Sequence, residues 1–483
     1  MNFRSRTIGS NSIAAIAPST HSGFCLSDVL CLALLTILLA FSFGALLLKY
    51  PPPGGDEPVI VDPAVNLVRH GYLGTNLYSG LVPGIERHYF LYPPFYFVAL
   101  AGWFKLFGVG LLQARAFSLL CTGLIVWIVY LFARRYVSPR PAFASAALCA
   151  LTIWVVLASR VARMDSLCVA LIMTAAILYE GADRTERLVN YALSGFAAGL
   201  AAITHPLGIV AATAIGLHMI LRFRARIVLS PAAYVWFFPF AVCELAWLAY
   251  IVADPGSFGA QMSLQIARKM LWRYAYSYQF WMARTHAATL ALALFAAGWC
   301  CTKAWREPSY RFLAILGIVS FAAATYGREA SYFLYFIPVC FVMLALVLQY
   351  GGALQRVTFA MFALALVNES VGWTKDFVLH HNDSYVVFAS ELRTLIPPGA
   401  PVLELSASNA ATTYFALLDR NPITQIPPVP LDPQKTAAVM RTQEYVVTGY
   451  PIEGPNKGIF ADRKLIAVTG HGFNFYLYAP REN

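Results

Sequence analysis

Long apolar stretches joined by short, arginine-bearing polar links dominate the chain from residue 27 to residue 372. A membrane-crossing helix needs about 20 apolar residues. The stretches that approach this length are 27–48, 112–133, 141–160, 167–180 with its flanks, 190–204, 206–221, 232–253, 281–301, 311–326, 331–349 and 353–371. They predict about eleven spans. One further apolar piece, Pro93 to Gly108, is short, opens on two prolines and carries Lys105. The positive-inside rule decides its role. If it lies along the surface as an interfacial helix, then Arg134, Arg135 and Arg140, Arg184 and Arg187, Arg222, Arg224 and Arg226, Lys303, Arg306 and Arg311, and Arg356 all face the cytoplasm. If it spans, all of them flip outward. The segment is therefore expected to be interfacial, with the loop 49–111 outside and everything after about residue 372 on that same outer side.

The tail from Lys375 differs in kind, mixing charges, prolines and short alternating runs. A helical register over Tyr385–Ile396 precedes a strand-like Val402–Leu405, a helical Asn409–Leu418 and a strand-like Tyr445–Thr448. Lys464–Thr469 and Phe473–Ala479 read as a hairpin around Gly470-His471-Gly472. The expected fold is mainly α: a polytopic membrane protein with a cytoplasmic tail (1–26), a membrane domain (27–372) with interfacial helices in its first outer loop, and a small outer α/β domain (373–483).

Composition agrees, since 59% of residues are hydrophobic and 12% are charged, against roughly 25% charged in soluble domains. The net charge of +11 comes from clusters between apolar runs rather than from one basic face, which argues for topology and against nucleic acid. Nine cysteines fall in or beside apolar runs, with neither a disulfide pattern nor metal-ligand spacing. Arg4 and Arg6 precede an apolar run too long for a signal-peptide core, so the first helix is expected to stay as an anchor.

Candidate chemistry gathers where helices meet the outer water. Asp56 and Glu57 follow Gly54-Gly55 after the first span, where a carboxylate can take a proton from an attacking hydroxyl; a solvated acidic pair ending a helix is the plainer alternative. Asp165 lies at a second outer junction between Arg163 and the fourth span, and could equally cap that helix. Glu244 sits inside the seventh span, where an ionisable group is a functional candidate by default. Against the positive-inside trend, Arg69, Arg87, Arg115, Arg160, Arg163, Arg268, Lys269, Arg273, Arg284 and Arg328 fall outside, as a phosphate site requires and as outer-leaflet headgroups would also explain. Phe258–Arg273 carries Met262, Ile266 and Met270 at helical spacing and reads as an interfacial helix. Tyr89, Phe90, Tyr92, Phe95 and Tyr96 crowd the entry to the Pro93 segment, and Tyr332 and Tyr335 open the tenth span.

The order of these features resembles the GT-C membrane glycosyltransferases, with protein O-mannosyltransferases and the aminoarabinose transferase of lipid A as the nearest groups. The shared segments are Gly-Asp-Glu after the first span, Tyr92-Pro93-Pro94, Phe107-Gly108, Ala114-Arg115 with Ser118, Arg163-Met164-Asp165, Thr204-His205-Pro206-Leu207-Gly208 and Tyr332 through Pro338. The resemblance covers about residues 27–350. It implies transfer of a sugar from a polyprenyl-phosphate donor to a lipid, glycan or protein acceptor at the outer face of a bacterial inner membrane, in cell-envelope or lipopolysaccharide chemistry. Asp56 matches the family's general base, Glu57 its neighbour, Asp165 the second acidic position, and Tyr332 a tyrosine near the carrier phosphate. Where the aminoarabinose enzyme has a lysine, this chain has Tyr92, so Arg163, Arg268, Lys269 and Arg328 are the candidates to hold the phosphate.

A phosphate on a lipid departs well once its charge is held, and one direct displacement inverts the anomeric carbon. No cofactor is required, although a divalent cation could assist at Asp56 and Asp165. The alternative is a transporter or flippase for a lipid-linked sugar, which would line a path through the bilayer with polar groups.

Overall fold

The computed structural model describes residues 25–44, 47–48, 51, 53–271, 284–327, 329–379, 384–405, 410–427, 431–452, 458–470 and 474–481. Its membrane part is built from α1 (Leu26–Leu39), α2 (Asp56–His70), α3 (Phe95–Phe107), α4 (Leu111–Arg134), α5 (Pro139–Leu151), α6 (Ile153–Arg160), α7 (Met164–Thr185), α8 (Leu188–Ala202), α9 (Ile209–Phe223), α10 (Pro231–Ala253), α11 (Pro255–Leu271), α12 (Ala287–Arg306), α13 (Arg311–Gly327), α14 (Ile337–Tyr350) and α15 (Leu354–Leu379). Among the described residues, seven helical stretches are long and apolar enough to cross a membrane, the bent pair α5/α6 counts as an eighth if taken as one span, and α1, α3, α8 and α14 are shorter apolar helices. The expected spans fall on the seven, on the bent pair and on α1, α8 and α14. Helix α3 packs on α2, and its first amide, Phe95 N–H, donates to the Ile203 carbonyl (3.0 Å).

Two of the short helices shape the site. At 1.5 Å per residue, the 15 residues of α8 rise about 22 Å, short of a hydrocarbon core of about 30 Å. The helix is followed by a tight turn, Thr204 to Gly208. A Cβ at Gly208 would lie 1.9 Å from the Ala201 carbonyl oxygen, so glycine lets this turn fold directly onto the end of α8. Helix α14 is likewise preceded by a 3₁₀ segment, Ala330–Tyr335. Non-helical backbone within a membrane bundle is tolerated only when buried in protein, and these two segments carry His205, Tyr332 and Tyr335, all buried.

The α5/α6 pair bends by 60° at Thr152, whose backbone is extended. The bend leaves amides of α6 without helical partners. Glu369 of α15, almost fully buried, accepts from Ile153 N–H (3.1 Å) and from Thr289 Oγ1 (2.6 Å), and contacts His286 Nδ1 (3.1 Å). The redirected α6 then runs straight into Arg163.

The end of the bundle opposite the candidate site is closed by ion pairs. Arg134 pairs with Asp28 (2.6 Å), Arg135 with Glu180 (2.6 Å) and Arg222 with Asp183. Helix α4 ends at Arg134 and carries Arg115 near its start, and α7 carries Glu180 and Arg184 near its end and Asp165 in its first turn, so these arginine clusters and the candidate site lie at opposite ends.

The tail forms α16 (Ser384–Leu395), α17 (Ala410–Leu417) and α18 (Pro433–Arg441) around a five-stranded sheet of β1 (Val402–Glu404), β2 (Ile423–Gln425), β3 (Tyr445–Thr448), β4 (Arg463–Gly470) and β5 (Asn474–Pro480), in the order β2-β1-β3-β5-β4. Strand β1 is parallel to β2 and β3, and β5 is antiparallel to β3 and β4. The hairpin tip, 471–473, lies outside the described residues. Strand β2 and helix α18 were not expected; three residues cannot display an alternation. Phe388, Val402, Tyr414 and Leu477 share one apolar core with Ile60, Leu77 and Tyr89 of the first outer loop. Polar ties reinforce it, since Gln425 N–H donates to the Leu77 carbonyl (2.8 Å) and Arg69 Nη1 to the Leu418 carbonyl (2.8 Å).

Candidate active site

Glu57 and Asp56 open α2, adjacent in sequence and opposite in surroundings. Glu57 is fully buried. It accepts Arg115 Nε (2.9 Å) and Ala162 N–H (2.8 Å) on one oxygen, and Arg115 Nη2 (2.8 Å) and Gly54 N–H (2.7 Å) on the other. The remaining Arg115 nitrogen, Nη1, donates to the carbonyls of Leu47 and Pro51 (both 2.9 Å). Glu57 thus fastens together the turn before α2, helix α4 and the α6–α7 link, all of which bear on its neighbours.

Asp56 points the other way, with its side chain 50% exposed. Its Oδ2 accepts from Arg163 Nη1 (3.2 Å). The same guanidinium donates through Nε to Asp165 Oδ2 (2.9 Å) and through Nη2 to Glu329 Oε2 (3.4 Å). Asp165 lies in the first turn of α7, which begins at Met164 with Arg163 as its N-cap, so Asp165 is not the capping residue. Its other oxygen accepts from the Tyr335 hydroxyl (3.1 Å). Tyr335 also lies 3.1 Å from His205 Nδ1. Leu207 N–H donates to that nitrogen (3.2 Å), which assigns the imidazole proton to Nε2 and leaves the Tyr335 proton for Asp165.

A second group faces the same space from α11. Arg268 Nη2 donates to the Tyr92 hydroxyl (2.9 Å), and the Tyr92 ring stacks on His205 with 5.9 Å between centroids. Burial disfavours the charge on Arg268, but nearby Tyr92 and Asp56 outweigh it and raise its pKa above the ordinary value. Helix α11 is held in register by amides: Gln261 accepts from Phe90 N–H (2.7 Å) and donates to the His88 carbonyl (2.8 Å), and Gln265 donates to the Leu91 carbonyl (3.2 Å). A cleft beside the pair is lined by Val59, Tyr78, Tyr92, Leu264, Arg268 and Pro427, bringing α2 and the loop after it, α11 and the tail together. Tyr332 is buried 5.6 Å from His205.

Of the residues expected from sequence, Asp56, Asp165, Arg163, Tyr92, Arg268 and Tyr332 are brought to one end of the bundle, and Glu57 lies beneath them. Arg328 and the side chain of Lys269 lie outside the described residues, as does Arg273. Glu244 is in α10, away from this cluster. Glu329, Tyr335, Gln261 and Gln265 were not anticipated in these roles. Glu329 directly follows Arg328, and Tyr335 lies one turn after Tyr332; buried glutamines on a helix read as amphipathic give no such signal. Among the described residues, no group of three or more His, Cys, Asp or Glu is placed to hold a metal ion.

The chain has the GT-C fold of membrane glycosyltransferases. ArnT from Cupriavidus metallidurans bound to undecaprenyl phosphate superposes with a TM-score of 0.63 at 14% identity, over 93% of this chain and 97% of that one. The Archaeoglobus fulgidus oligosaccharyltransferase in complex with Zn and sulfate gives 0.56 at 13% identity, over 88% and 68%. AglB from the same organism, in complex with an inhibitory peptide and a dolichol-phosphate, gives 0.52 at 13% identity, over 87% and 69%. At the level of sequence, residues 92–250 match the family described as dolichyl-phosphate-mannose-protein mannosyltransferase. No curated protein sequence gives a significant match.

Proposed function

We propose that the chain transfers a sugar, hexosyl or pentosyl, from a polyprenyl-phosphate carrier to a lipid, glycan or protein acceptor at the outer face of a bacterial inner membrane. The observation that carries this reading is the half-exposed Asp56 beside the Arg268–Tyr92 pair, at the end of the bundle away from the arginine clusters. Asp56 takes the proton from the acceptor hydroxyl or amine. The freed electron pair attacks the anomeric carbon, the bond from that carbon to the phosphate oxygen breaks, and its electrons leave on the carrier phosphate. Arg268 and the phenols of Tyr92 and Tyr332 hold that charge. A single displacement inverts the sugar. Glu57 acts as a positioning residue, because its oxygens are already engaged by four donors. The Arg163-linked carboxylates fix the base, and Arg163 serves them rather than the phosphate.

Purified protein in lipid, given a panel of polyprenyl-phosphate sugars, is expected to release free polyprenyl phosphate. Asp56→Asn is expected to lower the rate by about 10²–10⁴-fold with unchanged melting temperature, since Asp56 is half exposed. Full activity in folded Asp56→Asn would falsify the assignment of the base; translocation without release would instead establish the flippase.

A further inference from the structure

Three carboxylates from three segments, Asp56 of α2, Asp165 of α7 and Glu329 before the 3₁₀ turn, converge on one point, and that point holds a guanidinium. Each Arg163 nitrogen is directed at a different one: Nε at Asp165 (2.9 Å), Nη1 at Asp56 (3.2 Å) and Nη2 at Glu329 (3.4 Å). Convergent carboxylates at the reacting end of a sugar transferase are the donor set a divalent cation would use. The oxygens set against Arg163 are spaced for a larger cation. A guanidinium keeps its acceptors roughly 4 Å from its central carbon, whereas Mg²⁺ or Zn²⁺ draws oxygens to about 2 Å. Nor is Arg163 a loose surface side chain, being 22% exposed. Its backbone follows Ala162, whose N–H is held by the buried Glu57.

We propose that the Arg163 guanidinium is the resident cation of this site, so that sugar transfer here runs without a divalent metal. This rests on the transferase reading and specifies its electrostatics. Arg163 keeps Asp56 aimed, and neutralises the repulsion among Asp56, Asp165 and Glu329. Those tasks elsewhere need a metal ion. A planar fork with a permanent charge can hold three carboxylates from different segments, which lysine, a point charge, cannot fully reproduce. Arg163 is therefore a positioning residue acting through Asp56.

The test uses the full-length protein in lipid. Wild-type release of polyprenyl phosphate should be unchanged by excess EDTA and by added Mn²⁺ or Mg²⁺, and Mn²⁺ titrated by EPR should show no tight binding. Arg163→Gln should lower kcat by about 10²-fold with little change in donor KM, the split expected of a residue that aims the base rather than binds the donor. Arg163→Lys should recover part of kcat. Loss of wild-type activity in EDTA with restoration by a divalent ion, or tight Mn²⁺ binding abolished by Asp56→Asn, overturns the proposal. If Arg163→Gln does not fold, the wild-type measurements and Arg163→Lys still decide. If no donor is turned over under any metal condition, the transferase reading itself fails, while the Mn²⁺ titration still reports whether the carboxylates hold a metal.

Discussion

Replacing Glu57 by alanine removes the acceptor for four donors at once: two nitrogens of a fully buried Arg115 and the amides of Gly54 and Ala162. The Glu57–Arg115 pair lies at 2.8 Å with both side chains at 0% exposure. Water cannot replace the lost partner. Breaking a buried pair from one side costs about 3–5 kcal/mol, whereas exchanging both members for apolar groups of similar volume is often nearly neutral. Glu57→Ala and Arg115→Leu should each lower the melting temperature in a fixed detergent by about 6–10 °C, taking roughly 2 °C per kcal/mol for a large chain. The double variant should be far less damaged than the sum of the two, with a coupling of about 3 kcal/mol. Transfer should be lost in Glu57→Ala even below its melting temperature, because the residue ties Asp56's helix to the segment entering Arg163. Single variants that melt within a degree or two of wild type, or a double variant whose loss equals the sum, would refute this view of Glu57.

Arg268→Ala should lower kcat/KM for the donor by about 10–100-fold, the worth of one hydrogen bond to a charged group, and Tyr92→Phe by less, both read from the same release assay; a loss confined to the acceptor's KM would count against a phosphate role. Tyr414→Phe removes the hydroxyl that donates to buried Asp62 (2.8 Å) and should destabilise the junction of tail and outer loop by about 1–3 kcal/mol, seen as faster hydrogen exchange in both. Asp419 is bonded to Arg393 (2.7 Å); burial pushes its pKa up, but the Arg393 hydrogen bond and charge outweigh that and hold it below the ordinary value. Its contribution is therefore present above the unfolded carboxylate pKa and lost as pH falls through the folded one. Asp419→Asn should cost at most about 1 kcal/mol near neutrality, since both groups are partly exposed, and the difference from wild type should vanish on acidification.

Hydrophobic run length and arginine placement, both local, carried most of the membrane architecture: the helical stretches fall where the pattern put them, and Phe95–Phe107 is the short helix that the positive-inside argument set apart. Motif order brought Asp56, Arg163, Asp165, Tyr92 and Tyr332 forward as candidates, and the cations placed against the positive-inside trend added Arg268. The difference between Asp56 and Glu57 was not legible, because two adjacent carboxylates look alike until one is known to meet Arg115, 58 residues away. The convergence on Arg163 was hidden for the same reason, since Glu329 lies 166 residues from it. Short helices such as α8 and α14 read as full spans, because apolar turns and apolar helix have the same composition; only packing shows that the chain there turns inward with His205 and Tyr335. The sequence by itself determined which segments are apolar and long enough to form membrane helices and where the arginine clusters fall between them, since both are local properties of the chain. The tertiary structure alone decided which carboxylate is buried, which is exposed and which cation they share, since those depend on side chains brought together from distant helices.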